Sequence, residues 1–393
     1  MLPLGIDSVN MSVDAVVDQP LKILMVIDTF ENSKNGAVIS TQRFTKLLRE
    51  QHQVTVLTTG TPGPDKVILP EFYPPFFERV MRRMKTPLAV PFGGLLKNAI
   101  SGKDIVHVQF PFYLGVRAIF YARRAHTPVV STFHIQAEHL AMNAGIKSKQ
   151  FIQQTYRYWI NYIYNRSDMV ICPSKFAQEE LKKYGLTAPA MVISNGILPV
   201  FRPLPVSNNG SFHDKFVLLS VGRYAPEKGH SLIISAVDKS RYRDKIQLIL
   251  IGDGPLRERL QIQGNTLPNP PVFLTLDSED LVEYYNLADL YVHAACVEVE
   301  CMSVLEAIAC GLPPLIADSD KSATRQFALS EQALFECDNC ESLIREIEYW
   351  IEHPNELKKA KLAYQEESLK YRIEVSLQKL TKVYQELHRS YST

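Results

Sequence analysis

The chain has 393 residues, 46% hydrophobic and 22% charged, with 43 Lys and Arg against 42 Asp and Glu, the composition of an ordinary soluble globular protein of two or three domains. No apolar run approaches membrane-spanning length, and six cysteines spread over so long a chain do not make a disulfide framework, so the thiols are expected to be reduced. The near-neutral total hides an asymmetry: residues 1–200 hold 22 basic against 14 acidic side chains, and the remainder 21 against 28.

Residues 1–20 read as a loose N-terminus in which Asp7, Asp14 and Asp18 stand without a basic residue, unlike a signal peptide, which places the chain in the cytoplasm. Leu21 to Asp28 is an apolar strand, and a helix follows over about Ile39 to Glu50. Gly36, just past that strand, either lets backbone approach a ligand or is a simple turn glycine. Strands are predicted at Gln53–Thr59, Asp104–Gln109, Pro128–His134 and Asp168–Cys172, with helical segments between them. Between the first two, Glu71-Phe-Tyr-Pro-Pro-Phe-Phe-Glu-Arg-Val-Met-Arg-Arg-Met-Lys85 interleaves aromatic, apolar and basic residues. It suits an anionic membrane surface, and equally a solvated helix with a buried stripe.

Turn residues and prolines from Ile193 to Ser211 mark a domain boundary, giving a first domain over 21–200 and a second over 201–372. The alternation restarts with strands at Phe216–Gly222, Gln247–Gly252, Val272–Leu276, Asp289–His293 and Pro314–Ala317, and residues 373–393 form an amphipathic terminal helix. Repeated strand–helix alternation predicts an α/β fold of two Rossmann-like, doubly wound parallel sheets facing across a cleft, with ligands beyond the carboxyl ends of the strands. Cys337-Asp-Asn-Cys340 has a metal-ligand spacing, but no second pair or nearby His completes it, and it reads as two unconnected thiols at a strand end. Asp318-Ser-Asp320 likewise lacks further ligands for Mg²⁺.

The most informative run is Glu298-Val-Glu-Cys-Met-Ser-Val-Leu-Glu306, which flows into Ala-Ile-Ala-Cys-Gly-Leu-Pro. A helix starting near Met302 would offer unpaired N–H groups and a partial positive charge to an anion such as a diphosphate. Glu306, a turn inside, leans back toward hydroxyls on that ligand, as a ribose diol would supply. The basic partners this needs stand in Arg223-Tyr-Ala-Pro-Glu-Lys228-Gly229, at the end of a buried strand.

Arg223, Pro-Glu-Lys228-Gly229, the Glu298/Glu306 pair and Glu-Ala-Ile-Ala-Cys-Gly-Leu-Pro together resemble the family 4 glycosyltransferases, retaining enzymes of the GT-B fold. The resemblance implies a nucleotide sugar held by the second domain, an acceptor held by the first, no metal and no cofactor. It makes Arg223 and Lys228 diphosphate contacts, Glu306 the ribose ligand and Glu298 the acid near the sugar hydroxyls, with the amides of Cys301, Met302, Ser303 and Val304 beside it. His134 matches a His near donor sugar and acceptor, against the plainer reading of a His satisfied at a strand end. Gly36 matches a small residue at the start of the first helix, and the terminal helix is expected to cross back onto the first domain. Two positions depart from the pattern: Cys301 stands for a frequent Gly, and Glu300 for an aromatic.

Asn35-Gly-Ala-Val-Ile-Ser, the basic aromatic segment and Lys321-Ser-Ala-Thr-Arg-Gln-Phe-Ala-Leu look most like the diacylglycerol glucosyltransferase branch. The expectation is therefore hexose transfer from a UDP-glucose type of donor to a membrane lipid, by a peripheral protein on the inner face of the cell membrane that binds no nucleic acid. The alternatives are a surface polysaccharide or soluble glycan as acceptor and, from other classes, a nucleotide-sugar epimerase or a non-catalytic sugar-nucleotide binding protein.

Overall fold

The computed structural model describes residues 19–31, 35–75, 78–84, 86–143, 145–206, 212, 214–277 and 280–392; the loose N-terminus expected over residues 1–20 lies almost wholly outside them. In chain order the first half runs β1 Lys22–Val26, α1 Gly36–Leu48, β2 Gln53–Thr58, β3 Lys66–Ile68, β4 Glu71–Phe72, α2 Glu78–Met84, β5 Leu88–Ala89, α3 Gly93–Ile100, β6 Ile105–Val108, α4 Tyr113–Arg124, β7 Val129–Thr132, α5 Ala137–Asn143, α6 Lys149–Tyr162, β8 Met169–Cys172, α7 Lys175–Lys183 and β9 Ala190–Val192. The second half runs β10 Phe216–Val221, α8 His230–Lys239, β11 Ile246–Ile251, α9 Arg257–Gly264, β12 Val272–Leu274, α10 Leu281–Leu287, β13 Leu290–His293, α11 Met302–Ala309, β14 Pro314–Asp318, β15 Leu334–Glu336, α12 Cys340–Glu352, α13 Pro354–Ser368 and α14 Ile373–Ser392.

Two large sheets result, ordered β3-β2-β1-β6-β7-β8-β9 and β12-β11-β10-β13-β14-β15, with every pairing within them parallel, and β4 and β5 pair antiparallel in a small ribbon of their own. Strands such as Ile246–Ile251 are buried along their whole length because helices cover both faces, which is why they read as unbroken apolar runs. Each sheet reverses its winding once, between β1 and β6 and between β10 and β13. Loops leaving those four strands gather at the carboxyl edge, where open α/β sheets bind ligands.

The chain passes between the halves twice, and the two passages bond each other: Ile197 N–H donates to Tyr371 O (2.8 Å) and Ile373 N–H to Ile197 O (3.0 Å). Gly196 is left-handed there (φ 78°), and a Cβ on it would stand 2.7 Å from Ile373 Cα, so the crossing admits only glycine. Beyond it α14 packs on the first domain, burying Leu380, Val383 and Tyr384 in one cluster with Ile23, Met25 and Phe44. The Tyr384 hydroxyl and His107 Nδ1 lie 2.6 Å apart.

One expectation is corrected. Cys296 and Cys337 are joined in a disulfide, with Cα atoms 5.9 Å apart and a sequence separation of 41. They lie just past β13 and β15, and parallel strands deliver such residues to the same edge of the sheet, a neighbourhood no local spacing reveals. Cys340 stays free of Cys337, and Cys172, Cys301 and Cys310 are free thiols too.

Candidate active site

The first strand of each sheet supplies one wall of the cleft. From β10 the chain turns through Pro226–Lys228 into α8. Gly229 takes φ 67° at that turn, where a Cβ would sit 2.7 Å from Ala294 O; its bare backbone lets the Lys228 turn lie against the loop after β13. Lys228 Nζ reaches the Glu298 carboxylate, and Arg223 pairs with Glu227. Burial would raise the Glu298 carboxyl, but Lys228, backed by His293 and His139, holds it down at about 2. Burial opposes the charge on Lys228 as well, and Glu298 more than offsets it, leaving the ammonium's pKa raised. The pair is thus charged throughout the ordinary pH range.

Helix α11 begins at Met302 and carries Glu306 in its second turn. As at any helix start, the first N–H groups of α11 lack intrahelical carbonyl partners, and the helix presents its positive end to the cleft. Cys301 holds φ 80° and ψ 91°, a backbone conformation suited to glycine. Met302 Sδ is 3.9 Å from where a Gly36 Cβ would stand, so the N-termini of α1 and α11 meet across the cleft. Glu306 accepts hydrogen bonds from Arg43 Nη2 (3.1 Å) and the Tyr285 hydroxyl (3.3 Å). Burial pushes its carboxyl up, against the pull of Arg43.

The first domain closes on the 297–300 loop through several further bonds. Ser174 Oγ donates to Val299 O (2.6 Å), His139 Nε2 to Val297 O (2.9 Å) and Gln136 Nε2 to Lys321 O (3.1 Å). Asn195 donates its N–H and Nδ2 to Glu300 Oε2, at 2.9 and 2.7 Å. Burial pushes the Glu300 carboxyl up to about 7, although those bonds favour its charged form.

The structure therefore brings Arg223, Lys228, Glu298, Cys301, Met302, Ser303, Val304 and Glu306 onto one edge of the second sheet, with Gly36 opposite. His134 Nε2 donates to Gln109 Oε1 (3.0 Å), and His134 lines a small cavity of about 20 Å³ with His107, Thr132 and Asn195. Burial lowers its pKa to about 4, so it is neutral. His293 and His139 also act on the Glu298 carboxyl, His293 the more strongly. Among the described residues His293, Glu298 and Cys301 place ligand atoms within 4.8 Å of one another, but the Lys228 ammonium already supplies the positive charge at Glu298. Asp318 is gripped by Arg325 Nη1 at 2.6 Å through both oxygens.

Comparison with known proteins identifies the family and the fold. Residues 34–199 match the model of Glycosyltransferase Family 4, and residues 206–367 that of Glycosyl transferases group 1. The chain belongs to glycosyltransferase family 4. This glycosyltransferase is 27% identical over 318 residues to alpha-monoglucosyldiacylglycerol synthase of Streptococcus pneumoniae, covering 75% of this chain and 70% of that one. It is 26% identical over 316 residues to a GDP-mannose-dependent alpha-mannosyltransferase of Corynebacterium glutamicum, covering 76% and 72%. In fold it is similar to Anabaena HepE in complex with UDP-glucose, with TM-score 0.73 at 18% identity over 93% of this chain and all of that one, a GT-B architecture like its own.

Proposed function

We propose that this glycosyltransferase moves a hexose, with retention and without a metal, from a nucleoside-diphosphate sugar of the UDP-glucose type to a lipid hydroxyl at a membrane surface. The observation that carries the donor half is the meeting of two cation–carboxylate pairs, Arg223–Glu227 and Lys228–Glu298, with the N-terminus of α11. Charge grows on the diphosphate as the glycosidic bond lengthens. Cations that exchange a carboxylate for that leaving group, together with the fixed helix end, stabilise the transition state more than the ground state. Glu298, released from Lys228, faces the sugar, and Glu306 accepts from the ribose diol. His134 and the backbone at Gly36 serve the acceptor side of the cleft.

The lipid half is supported by the name of the streptococcal relative and by the outer face of the first domain. Phe92 is 52% exposed, Tyr113 58% and Phe120 44%. Arg117 and Arg124 lie 5.2 and 5.3 Å from the Phe120 ring, so basic and aromatic groups share one surface, as anionic bilayers favour. The corynebacterial relative supports GDP-mannose as a second donor. Incubation of radiolabelled UDP-glucose and GDP-mannose with diacylglycerol in anionic vesicles tests both halves. Label is expected in an organic-extractable product bearing an α-linked sugar. Label confined to water-soluble glycan, or a β-linked product, would overturn the reading.

A further inference from the structure

Arg43 enters the donor pocket from the opposite domain. It stands seven residues after Gly36, two turns along the same face of α1. Two residues of that face reach across the cleft, Gly36 to Met302 and Arg43 Nη2 to Glu306, and between them Ser40 Oγ donates within the first domain to Asn195 Oδ1 (2.7 Å), the residue whose amide holds Glu300. The Arg43 and Glu306 side chains are only 9% and 8% exposed, yet Arg43 Nη1 is buried with no hydrogen-bond partner among the described residues. A guanidinium N–H hidden from water and left unbonded is costly, and native interiors rarely keep one without a use.

Charge argues in the same direction. Without Arg43 the pocket would set two cations, Arg223 and Lys228, against three carboxylates, Glu227, Glu298 and Glu306, a poor reception for a diphosphate. With Arg43 the site is balanced before ligand arrives. A ribose hydroxyl is both donor and acceptor, so a carboxylate alone uses only half of it.

We propose that Arg43 completes the ribose site: the hydroxyl that donates to Glu306 accepts from Arg43 Nη1, so the nucleotide is gripped by an acid from one domain and a guanidinium from the other. This rests on the reading of Glu306 as ribose ligand. Each domain then holds half of one diol, which makes donor binding and closure of the cleft a single event. Arg43 binds ground and transition states alike, so its loss raises KM for the donor and spares kcat.

The test is isothermal calorimetry with UDP, 2′-deoxy-UDP and 3′-deoxy-UDP, or the corresponding GDP set if GDP is the nucleotide that raises the melting temperature. The proteins are the wild type, Arg43→Met, Arg43→Lys and Glu306→Gln. Wild type is expected to prefer the ribonucleotide over at least one deoxy form by about 10- to 100-fold, the worth of a hydrogen bond to a charged group. Arg43→Met should shrink that preference to within about threefold while keeping its circular dichroism spectrum, and Arg43→Lys, lacking the fork, should restore it only in part. Were Arg43→Met not to fold, Arg43→Lys would carry the comparison. An undiminished preference in a folded Arg43 variant would show Arg43 to be a structural tie and overturn the proposal. Preference lost in Arg43→Met but kept in Glu306→Gln would sustain Arg43 and remove Glu306 from the ribose. No preference in the wild type would overturn both.

Discussion

Glu298 and Glu300 lie two residues apart in one loop, and each is at least nine-tenths buried, yet they face different domains and carry opposite electrostatics. Glu298 turns toward the second sheet, where the Lys228 ammonium holds its carboxyl at about 2. Glu300 turns toward the first domain, where it meets the neutral donors of Ser194 and Asn195 and burial takes it up to about 7. A full opposite charge compensates desolvation, and neutral dipoles do not. The side of the loop that meets Lys228 is therefore permanently ionic. The side that meets the partner domain is close to neutral.

Removing the ammonium breaks this contrast most severely. Lys228→Ala leaves Glu298 buried without its cation and strips the leaving group of a positive contact, so transfer should fall by about 10²- to 10³-fold, and a buried pair cut in half costs about 3–5 kcal/mol of stability. Adding Glu298→Gln should recover much of the melting temperature and none of the activity. Wild-type turnover in Lys228→Ala would remove this pair from the chemistry.

Glu300→Gln sharpens the contrast through pH. Because the folded carboxyl binds its proton more tightly than the unfolded one, its neutral form favours the fold. That contribution is whole below the unfolded value of 4.5 and is lost as pH rises through about 7. The loss is on the order of 3 kcal/mol. Asp28, raised to about 7 by burial, slopes the same way, so the difference between variant and wild type is the readout. Glu300→Gln should therefore gain on wild type as thermal unfolding is followed from pH 5 to pH 8. Parallel curves would mean that Glu300 is already compensated.

Such contrasts mark what the primary structure discloses. The fold was legible because strands such as Ile246–Ile251 are covered on both faces and read as unbroken apolar runs; the three-residue strands β3, β9 and β15 escaped notice, whereas β12, as short, stands in the longer apolar run Val272–Leu276. The clustering of Arg223 and Lys228 with Glu298 and α11 was legible because a local run carries Glu298 through Glu306 and another carries Arg223 and Lys228. Arg43 escaped because its meaning lies in Glu306, 263 residues away, and Cys296 because its partner lies past another strand. Contacts made by two surfaces closing on each other leave no local period.

Cys301, beside Glu300, separates backbone strain from side-chain chemistry. A non-glycine residue in so sparsely populated a conformation costs about 1–3 kcal/mol, and glycine there would escape that cost while losing about 0.5–1 kcal/mol of chain entropy on folding. The thiol returns little: its Sγ lies 3.3 Å from Ser303 Oγ and 3.6 Å from His293 Nδ1, and burial raises it to about 12, so no thiolate is available to pair with Lys228. Cys301→Gly should gain about 1 kcal/mol, a rise of about 2 °C in melting temperature. Cys301→Ser keeps the backbone cost and should gain nothing. If serine stabilised as much as glycine, the thiol rather than the φ of 80° would be the source of the cost, and the positive backbone angle would be one that this loop bears freely.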